Sequence, residues 1–480
     1  TWNKKLYGDD LWESFRRLKT AFDPQWLLNP GNVCGDTDPT ENLRYDDDYE
    51  FEAGFEPTLN WDNDNGFQGM AELCHGCAGC EGHQDTTGGV MCPTYRATEN
   101  EEITSTRGRA NMLRRSMSGD LPDDVFDDEF IHEVLDLCIG CKGCKRDCPS
   151  GVDMAKLKTE VKHEHHQREG IPLRDKLFAN VETLYSLGST FAPLSNLATK
   201  LPGSNLLMEK TLGIARERDL PTFKRGTLKK WARSRTPAVS EAEADRKALL
   251  IADPYTNYTQ PAVGKAAVRT LEAAGVFVEV SDAVTDSGRP AHSKGMVDAA
   301  RETATANVDM LAPRVADGWD IVSVEPSDAV MYQEDYLDLL SGEAVEQVAG
   351  NTYSVMEYLD SFRLDEALET AAEETLSYHG HCHQTAAGRE HHAVGILRRA
   401  GYDVDVLDTT CCGMAGSFGY EAEHYSMSQA IGQMLFDAAD SSPAQEIVAP
   451  GTSCRTQLAD YEQQHGKPPH PIEKVAAALD

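Results

Sequence analysis

The sequence predicts a multi-domain α+β protein, a helical cysteine-rich domain followed by two α/β repeats, and three observations predict it. Eight of the thirteen cysteines fall in two runs between residues 74 and 148. After residue 245 a strand, a helix, a glycine and a second strand recur, once over 249–280 and once over 375–407. At 480 residues and 40% hydrophobic, the chain can fill about three cores.

The elements follow in chain order. Residues 9–21 read as a helix, with Leu11, Phe15 and Leu18 at helical spacing, closed by the turn Phe22-Asp23-Pro24. Residues 34–70 are rich in Asp, Asn and Gly and read as an extended linker. Cys34, alone in that stretch, reads as a free small hydrophobe. Residues 71–170 hold the cysteine runs, with amphipathic helices expected over 107–117 and 129–138. Residues 171–240 read as a helical connector broken by Pro and Gly. Its basic run (Lys224, Arg225, Lys229, Lys230, Arg233, Arg235) reads as a solvated linker helix rather than a docking patch.

The second run is C-x2-C-x2-C-x3-C-P: Cys138, Cys141, Cys144, Cys148, Pro149. That is the spacing that wraps a 4Fe–4S cluster. The first is Cys74, Cys77 and Cys80, then eleven residues to Cys92-Pro93. Three thiolates on a tight turn reach three corners of a cube, and the fourth comes from elsewhere. In two-cluster ferredoxins the fourth cysteine crosses to the other cluster. Cys74, Cys77, Cys80 and Cys148 are therefore assigned to one 4Fe–4S cluster, and Cys138, Cys141, Cys144 and Cys92 to the other. The expected separation is roughly 10–15 Å, short enough for electron hopping. Zinc prefers two paired C-x-x-C units, which neither run provides. Disulfides are disfavoured because no secretory leader is visible and eight cysteines already sit in metal-ligand spacing, so a reducing compartment is expected.

In the first repeat Leu249–Asp253 reads as a strand, Val263–Ala274 as a helix and Val276–Val280 as a strand. In the second, 375–378, 386–400 and Tyr402–Leu407 take those places. Cys411-Cys412-Gly413 then matches Asp286-Ser287-Gly288, and Cys454 matches Asp328. Parallel α/β units are expected. Only the second copy keeps cysteines. Cys382, Cys411, Cys412 and Cys454 fall at strand-end loops, where α/β folds build sites, and could hold an iron–sulfur cluster or zinc. His379, His381 and His383 surround Cys382 as further ligands or proton carriers. No metal is expected in the first copy.

The formal charge of −34 argues against nucleic acid as a partner. The acid is dispersed (Glu101-Glu102, Asp46-Asp47-Asp48, Asp123-Asp124, Asp127-Asp128), as on proteins of salt-loving cells. No apolar run is long enough to span a membrane. A cytoplasmic protein is expected, or one peripheral at the inner face of the membrane.

These motifs together resemble the FAD-linked D-2-hydroxy-acid dehydrogenases fused to an iron–sulfur module, which oxidise D-lactate, glycolate or D-2-hydroxyglutarate. Residues 3–32, ending Trp26-Leu27-Leu28-Asn29-Pro30-Gly31-Asn32, look like the tail of the flavin oxidase C-terminal domain. Thr37 to Tyr45 and Ser105 to Asn111 resemble segments flanking the clusters. Tyr378 to Gln384 and Cys411 to Gly416 resemble the family's cysteine-rich CCG domains. The resemblance implies a ferredoxin-like two-cluster domain followed by two CCG-type repeats. The implied partition is 1–33 oxidase tail, 34–70 linker, 71–170 cluster domain, 171–240 connector, 245–345 degenerate repeat and 370–480 CCG repeat. Three departures stand out. The flavin-binding domain is absent, the first CCG copy lacks its cysteines, and Gly451 stands where a full motif has a fifth cysteine.

The resemblance implies an electron relay. FAD in a missing part or partner subunit would take a hydride, and the two clusters would carry electrons to a quinone, cytochrome or other carrier. Arg107 and Arg109 would either tune the clusters or be surface charges. An independent heterodisulfide-reductase-like or quinone-reducing oxidoreductase is a second reading. A binding protein pinned by zinc or clusters is a third.

Overall fold

The structure, a computed structural model, describes residues 2–38, 40–41, 51–82, 92–98, 101–119, 121, 126–444, 446–461 and 466–479. The acidic runs at 46–48 and 123–124, and residues 42–45 of the flanking segment, lie outside them.

Two small parallel sheets carry the C-terminal half. The first contains β1 (Arg246–Ile251), β2 (Val276–Val280), β3 (Trp319–Ser323) and β4 (Thr352–Ser354), in the order β2-β1-β3-β4. The second contains β5 (Thr375–Tyr378), β6 (Asp403–Val406) and β7 (Glu446–Val448), in the order β6-β5-β7. Every pairing is parallel, and the second sheet repeats the order of the first three strands of the other. The central strand β1 is buried over its last four residues and β3 throughout, as helices on both faces require. Gly275 (φ 81°) and Gly401 (φ 104°) end the helices that lead to β2 and β6, the left-handed stop that favours glycine. The helix expected over 386–400 is two, Cys382–Ala386 and His391–Arg399, because the chain turns through Gly388 (φ 71°) between them.

The two sheets share one apolar core, with Leu250, Val263 and Leu271 from the first side and Leu376, Ile396 and Val448 from the second. A separate core gathers Phe67, Leu113, Leu135 and Leu157, and Cys74 and Cys144 lie in it.

Three local expectations change. The first helix is Asn3–Phe22, bends at Gly8 (φ 77°) and buries only Trp12, while Leu11 and Leu18 face outward. Residues 51–64 are irregular, yet the stretch is no free linker. Leu59 and Phe67 are buried, and the Glu160 carboxylate accepts from Thr58 N (2.6 Å), Leu59 N (3.0 Å) and the Trp61 indole (3.2 Å). Part of the basic run is tied to the first repeat, with Lys229 and Arg235 withdrawn from solvent and Arg233 still exposed. Lys229 is buried and donates to Asp282 O (3.1 Å), Arg233 pairs with Asp282 (2.9 Å) and Arg235 with Glu272. Cys34 is free and half-buried.

Candidate metal centres

The two cysteine runs share one backbone design. Gly76 (φ 78°) and Ala78 (φ 60°) are left-handed in the first, and Gly140 (φ 63°) and Lys142 (φ 60°) take the same places in the second. Left-handed residues alternating along a turn curl the chain around a point and aim N–H groups at it, a cradle for negative charge. Cys74, Cys80, Cys92 and Cys144 are buried, Cys138, Cys141 and Cys148 half-buried, and Cys77 exposed. Cys138 and Cys148 pack against the core that holds Cys74 and Cys144. Cys92 lies close enough to raise the pKa of both Cys80 and Cys144.

Arg109 and Arg107 have opposite fates. Arg109 is 1% exposed, with Nη1 3.5 Å from Cys92 Sγ, Nη2 donating to Thr94 Oγ1 (3.2 Å) and Nε to Val134 O (3.0 Å). Burial alone would raise the Cys92 thiol, but Arg109 and hydrogen bonds from Thr94 and Tyr95 hold it below its usual value. Arg107 turns away to Glu81 (2.7 Å) and Glu102 (3.0 Å), and only its backbone N–H reaches Cys80 Sγ (3.4 Å). Burial pushes Cys80 up to about 11. Among the described residues, no three of these eight cysteines bring their sulfurs within 4.8 Å of one another. Spaced thiols, inward N–H groups and one buried cation suit a thiolate-held anionic cluster.

The second cysteine site gathers at the carboxyl ends of the second sheet. Cys382 opens the helix after β5, Cys411 and Cys412 follow β6, and Cys454 lies in the helix Thr452–Leu458 after β7. All four are buried. Cys411 lies against Cys382 and Cys412, and Cys412 against Cys454 and His379. Those neighbours, Cys411 and Cys454 foremost, hold Cys412 well below the usual thiol value, while Cys411 and Cys454 are pushed up. Gly413 (φ 86°) has no room for a side chain, since a Cβ there would lie 2.3 Å from Ser428 O.

The first repeat keeps the frame with oxygen in place of sulfur. Gly288 (φ 80°) matches Gly413, and Ser287 Oγ donates to Asp328 Oδ1 (2.6 Å) where Cys412 meets Cys454. Burial raises Asp253 to about 6 and Asp328 well above the usual carboxyl range.

The second run docks on the second cysteine site. Ile139 and Cys141 pack into the apolar cluster formed by Cys382, Cys411, Cys412 and Cys454. His383 Nε2 lies 3.0 Å from Gly140 O and 3.2 Å from Arg289 Nη2, and Arg146 donates to Thr385 O (2.6 Å). Lys142 and Arg289 both pair with the buried Asp335. His424 bridges Asp136 (3.0 Å) and Glu421 (3.1 Å). Sequence reasoning missed Arg289, Asp335 and His424, which carry no local signal.

The fold and these sites define an iron–sulfur protein with a cysteine-rich domain. The comparisons agree. Residues 70–152 match the 4Fe-4S dicluster domain, 353–459 the CCG cysteine-rich domain and 1–33 the C-terminal domain of FAD linked oxidases. The chain is 27% identical over 519 residues to D-2-hydroxyglutarate dehydrogenase of Escherichia coli (strain K12), covering 98% of this chain and 49% of that protein. It is 28% identical over 312 residues to one subunit of the anaerobic glycerol-3-phosphate dehydrogenase of the same organism, a match that takes in 64% of this chain and 77% of that relative. It is 23% identical over 400 residues to the iron-sulfur subunit of that organism's glycolate oxidase, where the shares are 82% and 92%. The chain spans about half the length of the D-2-hydroxyglutarate dehydrogenases it matches. It is a relative of these proteins that carries iron–sulfur and CCG domains of the FAD-oxidase family. Among the described residues no helix is long and apolar enough to cross a membrane.

Proposed function

We propose that the chain is the electron-transfer part of a FAD-dependent D-2-hydroxy-acid dehydrogenase, acting on D-lactate, glycolate or D-2-hydroxyglutarate. It takes electrons from a flavin domain or subunit and delivers them to a quinone or other carrier. The observation that carries this reading is the seat of Cys141 against Cys382, which brings the second cysteine run against the CCG site. Iron–sulfur centres, when bound, take up and release single electrons. Cys74, Cys77, Cys80 and Cys148 would hold one, and Cys138, Cys141, Cys144 and Cys92 the other. The exposed Cys77 faces outward for entry, and the half-buried Cys141 faces the CCG site for exit. Arg109 offsets thiolate charge at Cys92, and His383 fixes the Gly140 turn. Burial keeps His383 neutral, well below its usual pKa, with Arg289 adding to the effect.

The exposed apolar side chains of the first helix, Leu6, Leu11, Leu18 and Phe22, suit contact with the flavin part. The six-part partition of the chain is proposed with this reading, as are a cytoplasmic location, peripheral to the inner membrane face, and adaptation of the acidic surface to high salt.

The test uses protein purified and reduced without oxygen. About eight irons per chain and two interacting paramagnetic centres are expected. Joined to its flavin part, the protein should bleach on adding one of the three D-2-hydroxy acids. Zinc in place of iron at the two runs would overturn the relay. Two intact centres that no such acid reduces would overturn the substrate class.

A further inference from the structure

The helical connector turns polar side chains inward and apolar ones outward. Ser189 Oγ donates to Lys224 O (2.6 Å), Ser195 Oγ to Gly188 O (2.6 Å) and Asn196 Nδ2 to Phe223 O (2.9 Å), while Asn196 Oδ1 accepts from Phe223 N (2.8 Å). Tyr185 packs edge-on against Phe223 (5.2 Å between ring centres) and Tyr255 (5.6 Å), which seats the helix Val181–Thr190 on the first repeat. Leu184, Leu187, Phe191, Leu194, Leu197 and Leu201 are left between 39% and 68% exposed. Leu184, Leu187 and Phe191 recur at i, i+3 and i+7, one face of a helix, and Leu194, Leu197 and Leu201 repeat that spacing. A surface leucine alone is ordinary, but a run of them marks a contact surface.

Charge supplies the second, independent observation. Residues 183–208 hold no Asp or Glu, in a chain that has 79. Lys200 lies in the turn after the helix Leu194–Ala198, Lys210 in the helix Ser204–Leu212, and Lys224 and Arg225 beside Ser189. All four are exposed, and among the described residues none of their side chains pairs with a carboxylate. Unpaired cations match anionic headgroups. A second copy of the chain would set these cations against their own kind, and the first helix already offers apolar side chains to the flavin part.

We propose that residues 184–207 form a contact surface for a bilayer with anionic headgroups. The short helices would lie in the plane of the interface. Leu187, Phe191, Leu194 and Leu197 would enter the acyl boundary, with Lys200, Lys210, Lys224 and Arg225 among the headgroups. The acid-rich remainder of the surface is repelled by such a membrane, so the acid-free face sets the orientation. This surface rests on the peripheral location proposed above and gives it a place in the fold. It would bring the chain to where a lipid-soluble electron carrier is met.

The experiment is flotation of the full chain, purified without oxygen, with vesicles of phosphatidylglycerol and phosphatidylcholine or of phosphatidylcholine alone, in about 0.1 M salt. Binding to the mixed vesicles is expected, at least about tenfold tighter than to phosphatidylcholine. Leu187→Gln, Leu194→Gln and Leu197→Gln combined should weaken it at least about tenfold, with iron content and melting midpoint unchanged. The emission of Phe191→Trp should be quenched by brominated lipid well beyond that of wild type, which keeps the test valid if the triple variant misfolds. No vesicle binding, equal binding to both kinds of vesicle, or quenching no greater than wild type would overturn the proposal. So would a triple variant that floats as wild type yet loses a dimer or its flavin part, which would give the face to that partner. Flotation is read without turnover. A chain that ignores vesicles but holds its iron leaves the relay standing, and a triple variant that still floats overturns this surface while the peripheral location stands.

Discussion

Arg109→Met should lower the reduction potential of the centre that Cys92 serves and leave the other centre in place. The Arg109 guanidinium is 3.5 Å from Cys92 Sγ and shielded from water. A unit charge at that distance is worth roughly 5 kcal/mol at an effective dielectric of about 20. The charge of a bound centre spreads over atoms further away, and the site relaxes after substitution, so about a third, ~1.5 kcal/mol, should survive. With about 1.4 kcal/mol equal to 59 mV for one electron, the expected shift is roughly 60 mV negative. The sign follows from removing a cation beside a group that gains an electron. The substitution also strips donors from Val134 O and Thr94 Oγ1, at about 1–3 kcal/mol each. Arg109→Lys keeps the charge and serves as the control. The assay is a redox titration followed by paramagnetic resonance, with iron counted in each variant. Arg107→Gln should shift the potentials by clearly less than Arg109→Met does, because the Arg107 side chain turns away from the cysteines to Glu81 and Glu102, where solvent screens its charge. An iron-replete Arg109→Met protein with both potentials unchanged would refute the assignment of Arg109 as a charge-compensating residue.

Three further outcomes are expected. Burial lowers His166 and His292 to about 4 from an ordinary 6.5. The unfolded chain takes up protons below 6.5 that the fold refuses, so stability should fall as pH drops from about 6.5 to 4, by up to roughly 1.4 kcal/mol per unit for each histidine. Unfolding midpoints across that range check this, and His292→Leu with an unchanged slope would contradict it. Gly108→Ala would set a Cβ 2.0 Å from Glu102 O, a backbone atom that cannot step aside. A loss of about 1–3 kcal/mol and of bound iron is expected, read by thermal melting and iron analysis, and a wild-type melt would argue that the turn yields more easily than this contact implies. With a formal charge of −34, molar potassium chloride should raise the melting midpoint, and a midpoint that falls with salt would count against the halophilic reading.

What the sequence made legible was local. The ligand runs could be seen because their cysteines sit two or three residues apart, and the repeat because strands and glycines recur at nearly fixed spacing. Whatever depended on facing or on distant partners could not be seen. Arg107 and Arg109 are two residues apart on one helix and so point in nearly opposite directions, and nothing nearby says which one meets the cysteines. Residues 51–70 look like a linker because their burial rests on Glu160, about a hundred positions further on. His383 meets Gly140 across 243 positions, so the docking of run on repeat has no local trace. The three histidines around Cys382 form one group in the sequence. Only the fold separates them, sending His379 to the thiols, His381 into the room at Gly451 and His383 to the cluster turn.

The first repeat carries no thiols at the matching places, yet its side chains reach the second cysteine run. Its frame ends in Ser287 and Asp328, hard oxygen groups unsuited to soft metals. From the same repeat Arg289 and Asp335 reach the second cysteine run, where Asp335 pairs with Lys142. Lys142 sits in the left-handed conformation (φ 60°), which costs a non-glycine residue about 1–2 kcal/mol. Ala78 holds that position in the first run and has no charge to offer. The Lys142 ammonium pairs with the buried Asp335 carboxylate of the first repeat, which offsets the strain. Beside it, Gly140 O meets His383 Nε2 of the second repeat and Cys141 packs against that repeat's cysteines. The turn of the second run is therefore held from both sides, by Asp335 of the oxygen-bearing copy and by His383 of the sulfur-bearing copy.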